Sequence, residues 1–339
     1  MEVAARIVEL RLAETFVIAR ESQDTAEVVQ VEVRHDGSSG FGEAAPIERY
    51  DETAASALAF VEASTDLLGD DPFALEEIGV RLSTRPGEQA AKAALDAALH
   101  DLCGKLLGVP VWRLLGLAPT GPATCWTLGI GDPDETARKA ERARSRFRRL
   151  KLKLGARDGL DIERVRAVRS VTDLPIQVDV NEYWSLEEAL ESLPRLAELD
   201  VELCEQPLPE GDPGGVELRR RSPVPVYVDE DCHTLADVAS CAERAHGINI
   251  KLAKSGGLRE AVRMAHAARA LGLGVMLGCM VESGLGIAPA VQMAGLCDHV
   301  DLDGNLLIAT DPWPGIELVE GVQRPSSAPG LGVRPATQA

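Results

Sequence analysis

The segment RLKLKLGARDGLDIERVRAVRSVTDLPIQVDVNEYWSLEEALESLPRLAELDVELCEQPLP, residues 149–209, decides the fold. It holds three short apolar runs, RLKLKL, PIQVDV and VELCE, with Lys153, Asp179 and Glu205 at or next to their ends. Charged stretches of helical character separate them. Strand, helix and strand in alternation predict parallel strands joined by crossover helices. The unit recurs downstream, where VPVYVD ends in Asp229 and INIKL carries Lys251. Successive charged tips lie 22 to 26 residues apart, roughly what one strand, one helix and two loops need.

Working outward, eight strand candidates emerge: TCWTL (124–128), RLKLKL, PIQVDV, VELCE, VPVYVD, INIKL, GVMLG (274–278) and HVDLD (299–303). Helix starts between them have mechanisms. Asp132-Pro133 is an N-cap with proline at the first helical position. Ser185 to Glu188 is a capping box, and Thr234 to Asp237 resembles one. Eight strands with intervening helices predict a TIM-like (β/α)7β barrel. A doubly wound sheet would carry a G-x-G-x-x-G turn after its first strand, and none is present.

Residues 1–118 read differently, as an α+β domain. VVQVEVRHDGSSGFGEA predicts two strands joined at Asp36–Gly40. EQAAKAALDAALHDLCGKLL (88–107) predicts a helix, with Gly108 as its C-terminal cap. Prolines 110, 119 and 122 mark the boundary. The barrel is assigned to 119–311. Segment 312–339 is expected to return to the first domain through IELVEGVQ, with the last dozen residues loose.

Composition narrows the function. A net charge of −19 argues against nucleic acid and anionic membranes as partners. No run approaches a membrane span, and no basic start precedes an apolar stretch. Seven cysteines without a C-x-x-C pair fit a reduced, cytoplasmic protein. A homo-oligomer is the base-rate expectation.

If the runs are barrel strands, their charged tips meet at one mouth. Asp179, Glu205 and Asp229 are then an oxygen-only donor set, suited to Mg²⁺ with Mn²⁺ as a substitute. The six histidines show no ligand spacing, which argues against zinc. Asn181 shares a face with Asp179, and Glu230 follows Asp229; both are supporting candidates. Lys151 and Lys153 also share a face. Mutual repulsion, burial and a nearby cation should lower their pKa from the reference near ~10.4 toward that of a useful base. Lys251 is preferred to Lys254 as a further reactive amine, because Lys254 falls in the following turn. The Lys254-Ser255-Gly256-Gly257 stretch reads as a tight βα turn or, alternatively, a phosphate cradle. Lysines on both sides of a metal-bound carboxylate suit proton removal from one face and return from the other. The general pairing of a lysine base with Mg²⁺ in enolase-type sites is a known pattern.

With these residues in place, the chain resembles the enolase superfamily, muconate-lactonizing subgroup, and within it the dipeptide epimerases of the L-Ala-D/L-Glu type. The matching pieces span nearly the whole chain: FVIAR (16–20), KLKLG (151–155), VDVNEYW (178–184), CEQPLP (204–209), VDEDCHT (228–234), NIKLAKSGGL (249–258), MLGCM (276–280) and DLDG (301–304). The resemblance implies that the N-terminal domain caps the barrel. It implies Lys153 and Lys251 as the two acid/base catalysts, with Lys151 tuning the first. Asp179, Glu205 and Asp229 would hold Mg²⁺ against the C-terminal carboxylate of a dipeptide, stabilising an enediolate. Asp301 and Asp303, two apart on the last strand, would take the α-ammonium. Arg20 would meet a glutamate side chain, and Thr127 would offer a hydroxyl near the substrate. Ala-Glu turnover would place the enzyme in the recycling of cell-wall peptides.

Two positions depart from the Ala-Glu pattern. Glu21-Ser22 follows Arg20 where glycine fits better, and Glu282 adds an acid after MLGCM, a feature that suits a cationic or polar side chain. Rival readings on the same site are an N-acylamino acid racemase, an o-succinylbenzoate synthase or a muconate cycloisomerase. A Schiff-base aldolase without metal, or a barrel that only binds a ligand, are rivals of other classes.

Overall fold

The computed structural model describes residues 1–336. Two bodies of secondary structure form. The first is a three-stranded antiparallel sheet, β1 (Glu2–Val17), β2 (Ser22–His35) and β3 (Ser38–Ala44), with helices on one face. The turn between β2 and β3 is tighter than the sequence suggests. Asp36 and Gly37 both adopt positive φ, as a two-residue hairpin requires. The Ala-rich helix Gln89–Leu107 lies against this sheet. Close approach is possible because β3 presents glycines. A Cβ on Gly40 or Gly42 would fall 2.0 Å from the carbonyl oxygens of Ala98 and Ala94 respectively. Gly108, with φ of +70°, ends that helix in the left-handed conformation expected of its cap.

The second body is the barrel. Its strands are β4 (Cys125–Leu128), β5 (Arg149–Lys153), β6 (Ile176–Asp179), β7 (Val201–Glu205), β8 (Val226–Val228), β9 (Gly247–Lys251), β10 (Gly274–Gly278) and β11 (His299–Asp301). They pair in sequence order, every pair parallel. A parallel bridge between Thr124 and Val300 brings the two ends of the sheet together. The capped helix starts form as expected. Asp132 accepts from the amides of Asp134 and Glu135, and reciprocal capping boxes form at Ser185/Glu188 and Thr234/Asp237.

Alternation sets what faces where. On β5, Leu150 and Leu152 turn outward, into a core with Val165, Val168, Leu193 and Leu196 of the surrounding helices. Lys151 and Lys153 turn inward. Leu203, Tyr227 and Met276 form a separate small apolar cluster, two residues before Glu205, Asp229 and Gly278 respectively. Apolar side chains therefore fill the lower interior, and charged ones fill the mouth.

The tail departs from expectation. IELVEGVQ forms a hairpin, β12 (Glu317–Val319) and β13 (Val322–Arg324), that docks on the barrel, where Gly321 O accepts from Thr124 N at 2.8 Å. Contact with the first domain comes later. The Leu331 amide donates to Asp101 at 2.8 Å, and Gly330 exchanges hydrogen bonds with Val109 and Val111. Leu331 and Val333 are buried, so this part of the last dozen residues is anchored; residues 337–339 lie outside the described ones. Among the described residues, no helix is long and apolar enough to cross a membrane.

Candidate active site

The charged tips form one layer because the strands are in register. Lys153 is level with Asp179, and Asp179 with Glu205. Lys251 is level with Gly278, and Gly278 with Asp301. Strands β5 and β9 are four apart in a ring of eight, so Lys153 and Lys251 occupy opposite walls. The same count sets β7, with Glu205, opposite β11, with Asp301.

Ion pairs knit this layer. Lys153 Nζ donates to Asp179 Oδ2 at 2.7 Å and Asn181 Oδ1 at 3.1 Å. Lys151 Nζ lies 2.7 Å from Asp301 Oδ2, 3.0 Å from Asp179 Oδ2 and 2.7 Å from Glu205 Oε2. Lys251 Nζ reaches Asp229 Oδ2 at 2.8 Å. Lys254 Nζ takes the other Asp229 oxygen at 2.5 Å and Cys232 O at 2.9 Å. Asn249 donates to Glu205 Oε1 at 2.7 Å, and Gln206 accepts from the Asp229 amide at 2.8 Å. All of these side chains are buried.

Burial opposes charge here, and the neighbours decide the outcome. Burial alone would lower Lys151, but Asp179, Asp301 and Glu205 outweigh it and raise its pKa well above the ordinary value. Lys251 is raised likewise, against burial, chiefly by Asp229. Asp179 and Asp229 are lowered despite burial, by the lysines that touch them. Glu205 goes the other way. Burial first, then Asp179, push it up.

Above this layer lies a cavity of about 390 Å³, roofed by the first domain. Lys151, Lys153, Asp229 and Lys251 line its floor, and Thr127, Asp301 and Asp303 one side. Ile18, Arg20, Arg49 and Tyr50 come from above.

Comparison with known proteins agrees with this layout. Residues 1–116 match the mandelate racemase / muconate lactonizing enzyme N-terminal domain, and residues 135–339 match the enolase C-terminal domain-like family. The chain belongs to the enolase superfamily. Within this superfamily, a Bacteroides thetaiotaomicron protein named L-Ala-D/L-Glu epimerase is 42% identical, covering 96% of this chain and 85% of its own. A Pedosphaera parvula protein named L-Ala-D/L-amino acid epimerase is 37% identical, covering 96% and 97%. The dipeptide epimerase of Enterococcus faecalis, solved with Mg and L-Leu-L-Tyr, superposes with a TM-score of 0.93 at 32% identity, covering 98% of each chain.

For an enolase-superfamily site, the donor set can be tested against a divalent cation. Among the described residues, no three His, Cys, Asp or Glu side chains are gathered closely enough to hold a metal as they stand. Lysine ammonium groups sit between Asp179, Glu205 and Asp229 instead. The chemistry nevertheless fits a hard cation: the donors are carboxylate oxygens only. Glu205 Oε2 is also buried and accepts no hydrogen bond, its contact being the Lys151 ammonium at 2.7 Å.

Several expectations are corrected. Lys151 is not lowered by repulsion from its neighbour, because three carboxylates surround it. Asp303 is not on the last strand. Strand β11 ends at Asp301, and Asp303 lies at the start of the short helix Gly304–Leu307. It accepts from the Thr127 amide at 2.6 Å, and burial, then Asp301, push its carboxyl up to about 7. Nor is Asp301 without partners, since Lys151 and Thr127 Oγ1 both reach it. Lys254 is no loose turn residue; it is a buried counter-ion of Asp229. Glu282 does not line the cavity: its Oε1 accepts from the Met280 amide, and the side chain packs beside Gly286, near Glu43. The Gly256-Gly257 turn is filled by Asp96, whose Oδ2 accepts from the amides of Leu258 and Arg259. This leaves the tight-turn reading.

Arg20 lines the cavity, but its guanidinium is paired with Glu182 at 3.1 Å and with Glu230. Sequence reasoning misses Arg49 and Tyr50, which nothing local distinguishes, and the role of Glu182, which stands within the matching VDVNEYW run. Asn249 and Lys254 stood within the matching NIKLAKSGGL run, and inward alternation from Lys251 would have marked Asn249.

Proposed function

We propose that this enzyme is a Mg²⁺-dependent dipeptide epimerase that inverts the α-carbon of the C-terminal residue, with L-Ala-L-Glu or a related dipeptide as substrate. One observation carries the reading: two lysines on opposite barrel walls flank a floor with three acids on one side and two on the other. A dipeptide has the matching polarity. Its carboxylate belongs toward β6–β8 and its ammonium toward Asp301 and Asp303, leaving the α-carbon between Lys153 and Lys251. A cavity of about 390 Å³ suits such a ligand.

Asp179, Glu205 and Asp229 would hold the cation, which offsets the negative charge that builds on the substrate carboxylate as the α-proton leaves. Lys153 Nζ, when neutral, takes that proton from its face, and the Lys251 ammonium delivers one from the other. In the reverse direction the roles exchange. Lys151 holds Asp301 and Asp179 in place; Asn181 orients Lys153. Glu230 supports the Asp229 loop.

The pairing of Asp301 with Lys151 favours a second reading, in which no ammonium is bound. An N-acylamino acid racemase, o-succinylbenzoate synthase or muconate cycloisomerase fits that case. α-Deuterium uptake from D₂O by a library of L,L-dipeptides, with Mg²⁺ and with EDTA, tests the first reading. Metal-dependent exchange of free-amine dipeptides supports it; exchange of N-acylated substrates alone favours the second.

A further inference from the structure

Five lysines and arginines line the cavity, and three of them are the floor lysines. The remaining two, Arg20 and Arg49, both come from the capping domain. Each is already matched by barrel carboxylates. Arg49 donates to Glu182 at 3.0 and 2.9 Å and to Glu210 at 2.8 Å. Arg20 donates to Glu182 at 3.1 Å and to Glu230.

The barrel presents these acids by design of its loops. Asn181 and Glu182 have φ of +48° and +75°, a consecutive left-handed pair that turns the chain after β6 and aims Glu182 at the cap. The Glu210 amide holds its Oε1 at 2.9 Å. Glu230 is fully buried, and its second oxygen, Oε2, has no hydrogen-bond partner. Among the described residues, Arg20 is the only cation paired with it. On the rim, Glu21 and Glu48 add two exposed acids.

A substrate side-chain carboxylate entering here has two options. It can take Arg20 from Glu230, which leaves a buried carboxylate beside Asp229 without its counter-charge. Or it can stay unpaired among acids of the same sign. An uncharged or cationic side chain meets neither penalty, and discrimination of this kind works by repulsion of the wrong ligand.

We infer that Arg20 is an internal counter-ion of Glu230 and Glu182, not a receptor for substrate, and that the enzyme selects an uncharged or cationic residue over glutamate at the inverted position. The inference rests on the dipeptide epimerase reading. Arg20 acts as a positioning residue: it seats Glu230, next to Asp229, under the cap.

Three dipeptides test this, L-Ala-L-Glu, L-Ala-L-Gln and L-Ala-L-Lys, with α-deuterium uptake measured in D₂O with Mg²⁺. The expected kcat/KM for the Gln and Lys dipeptides is at least about tenfold that for Glu. Equal or better turnover of the Glu dipeptide overturns the inference and leaves the epimerase reading intact. No exchange with any dipeptide overturns both. Arg20→Gln separates the two roles of the arginine. As an internal counter-ion, its loss lowers kcat for all three dipeptides alike, with the Glu/Gln ratio constant to about twofold. A selective rise in KM for the Glu dipeptide contradicts the proposal. Glu182→Gln, which releases Arg20 on the side away from Asp229, should raise the Glu/Gln ratio about threefold or more; an unchanged ratio counts against it.

Discussion

The floor and the rim of the cavity are built from the same residue types, and they obey different rules. Floor residues stand on or just past strand tips, and register brings them together. Lys153, Asp179 and Glu205 are adjacent because β5, β6 and β7 are parallel and level. Rim residues meet across domains. Arg49, in the 3-10 turn Glu48–Tyr50, and Glu182, in the loop after β6, are 133 positions apart. On the proposed mechanism the difference separates reaction from selection: proton transfer would belong to the sheet, and the choice of substrate to the seam between cap and barrel.

The sharpest way to break that division is to remove a floor lysine. Lys153→Ala and Lys251→Ala should each cut epimerisation by about 10³-fold or more, for every dipeptide alike. Loss confined to one substrate would move the lysines to the selection side. Asp301→Ala should come next. A drop of about 10²-fold for free-amine dipeptides, with N-acylated substrates spared, is expected from the loss of a charge-assisted partner. Steady-state kinetics on both substrate types checks it.

Asn249→Ala probes the support beneath the floor. Asn249 orients Glu205 without reaching the cavity lining. Its loss should raise the Mg²⁺ concentration for half-activity about 10- to 100-fold. An unchanged metal titration would detach Glu205 from the metal site.

The smallest expected effect lies in the seam. Glu43 of the cap and Glu282 of the barrel are both fully buried, and burial pushes their carboxyls up to about 7 and about 8. An ordinary carboxyl ionises near ~4.3. Between these values the folded chain keeps the protons that the unfolded chain has lost, so stability falls as pH rises toward 8. Glu282→Gln removes the Glu282 share of that dependence. Its stability relative to the parent should improve by about 1–3 kcal/mol between pH 5 and pH 8, measured by urea denaturation. A difference that is flat or runs the other way would contradict the burial argument.

The same contrast explains what was legible in the sequence. Period-two alternation and regular βα spacing made the eight strands and their charged tips readable. The breakdown began where strands ended. Alternation predicts that Asp301 and Asp303 share a strand face, but the strand stops at Asp301 and a turn brings Asp303 in. Turn placement predicts a peripheral Lys254, yet a helical turn starting at Leu252 folds it back onto Asp229. The hairpin at Glu317–Arg324 found the barrel and not the cap, because its partner is the Thr124 amide just before β4. The rim was legible only in part: Arg20 and Glu230 were candidates, but their pairing with each other was hidden. A lone arginine in a loop has no periodicity, and its partner lies on another domain.

The two-sided arrangement of Lys153 and Lys251 is the claim on which the rest depends, and stereospecific proton exchange tests it most directly. In D₂O with Mg²⁺, each single lysine-to-alanine variant is given the L,L and the L,D dipeptide separately, and α-deuterium uptake is followed by proton NMR. The account predicts that each variant exchanges the α-proton of one isomer only, and that the two variants choose opposite isomers. If both variants exchange the same isomer, or either still interconverts the two at the parental rate, the lysines do not face each other across the α-carbon.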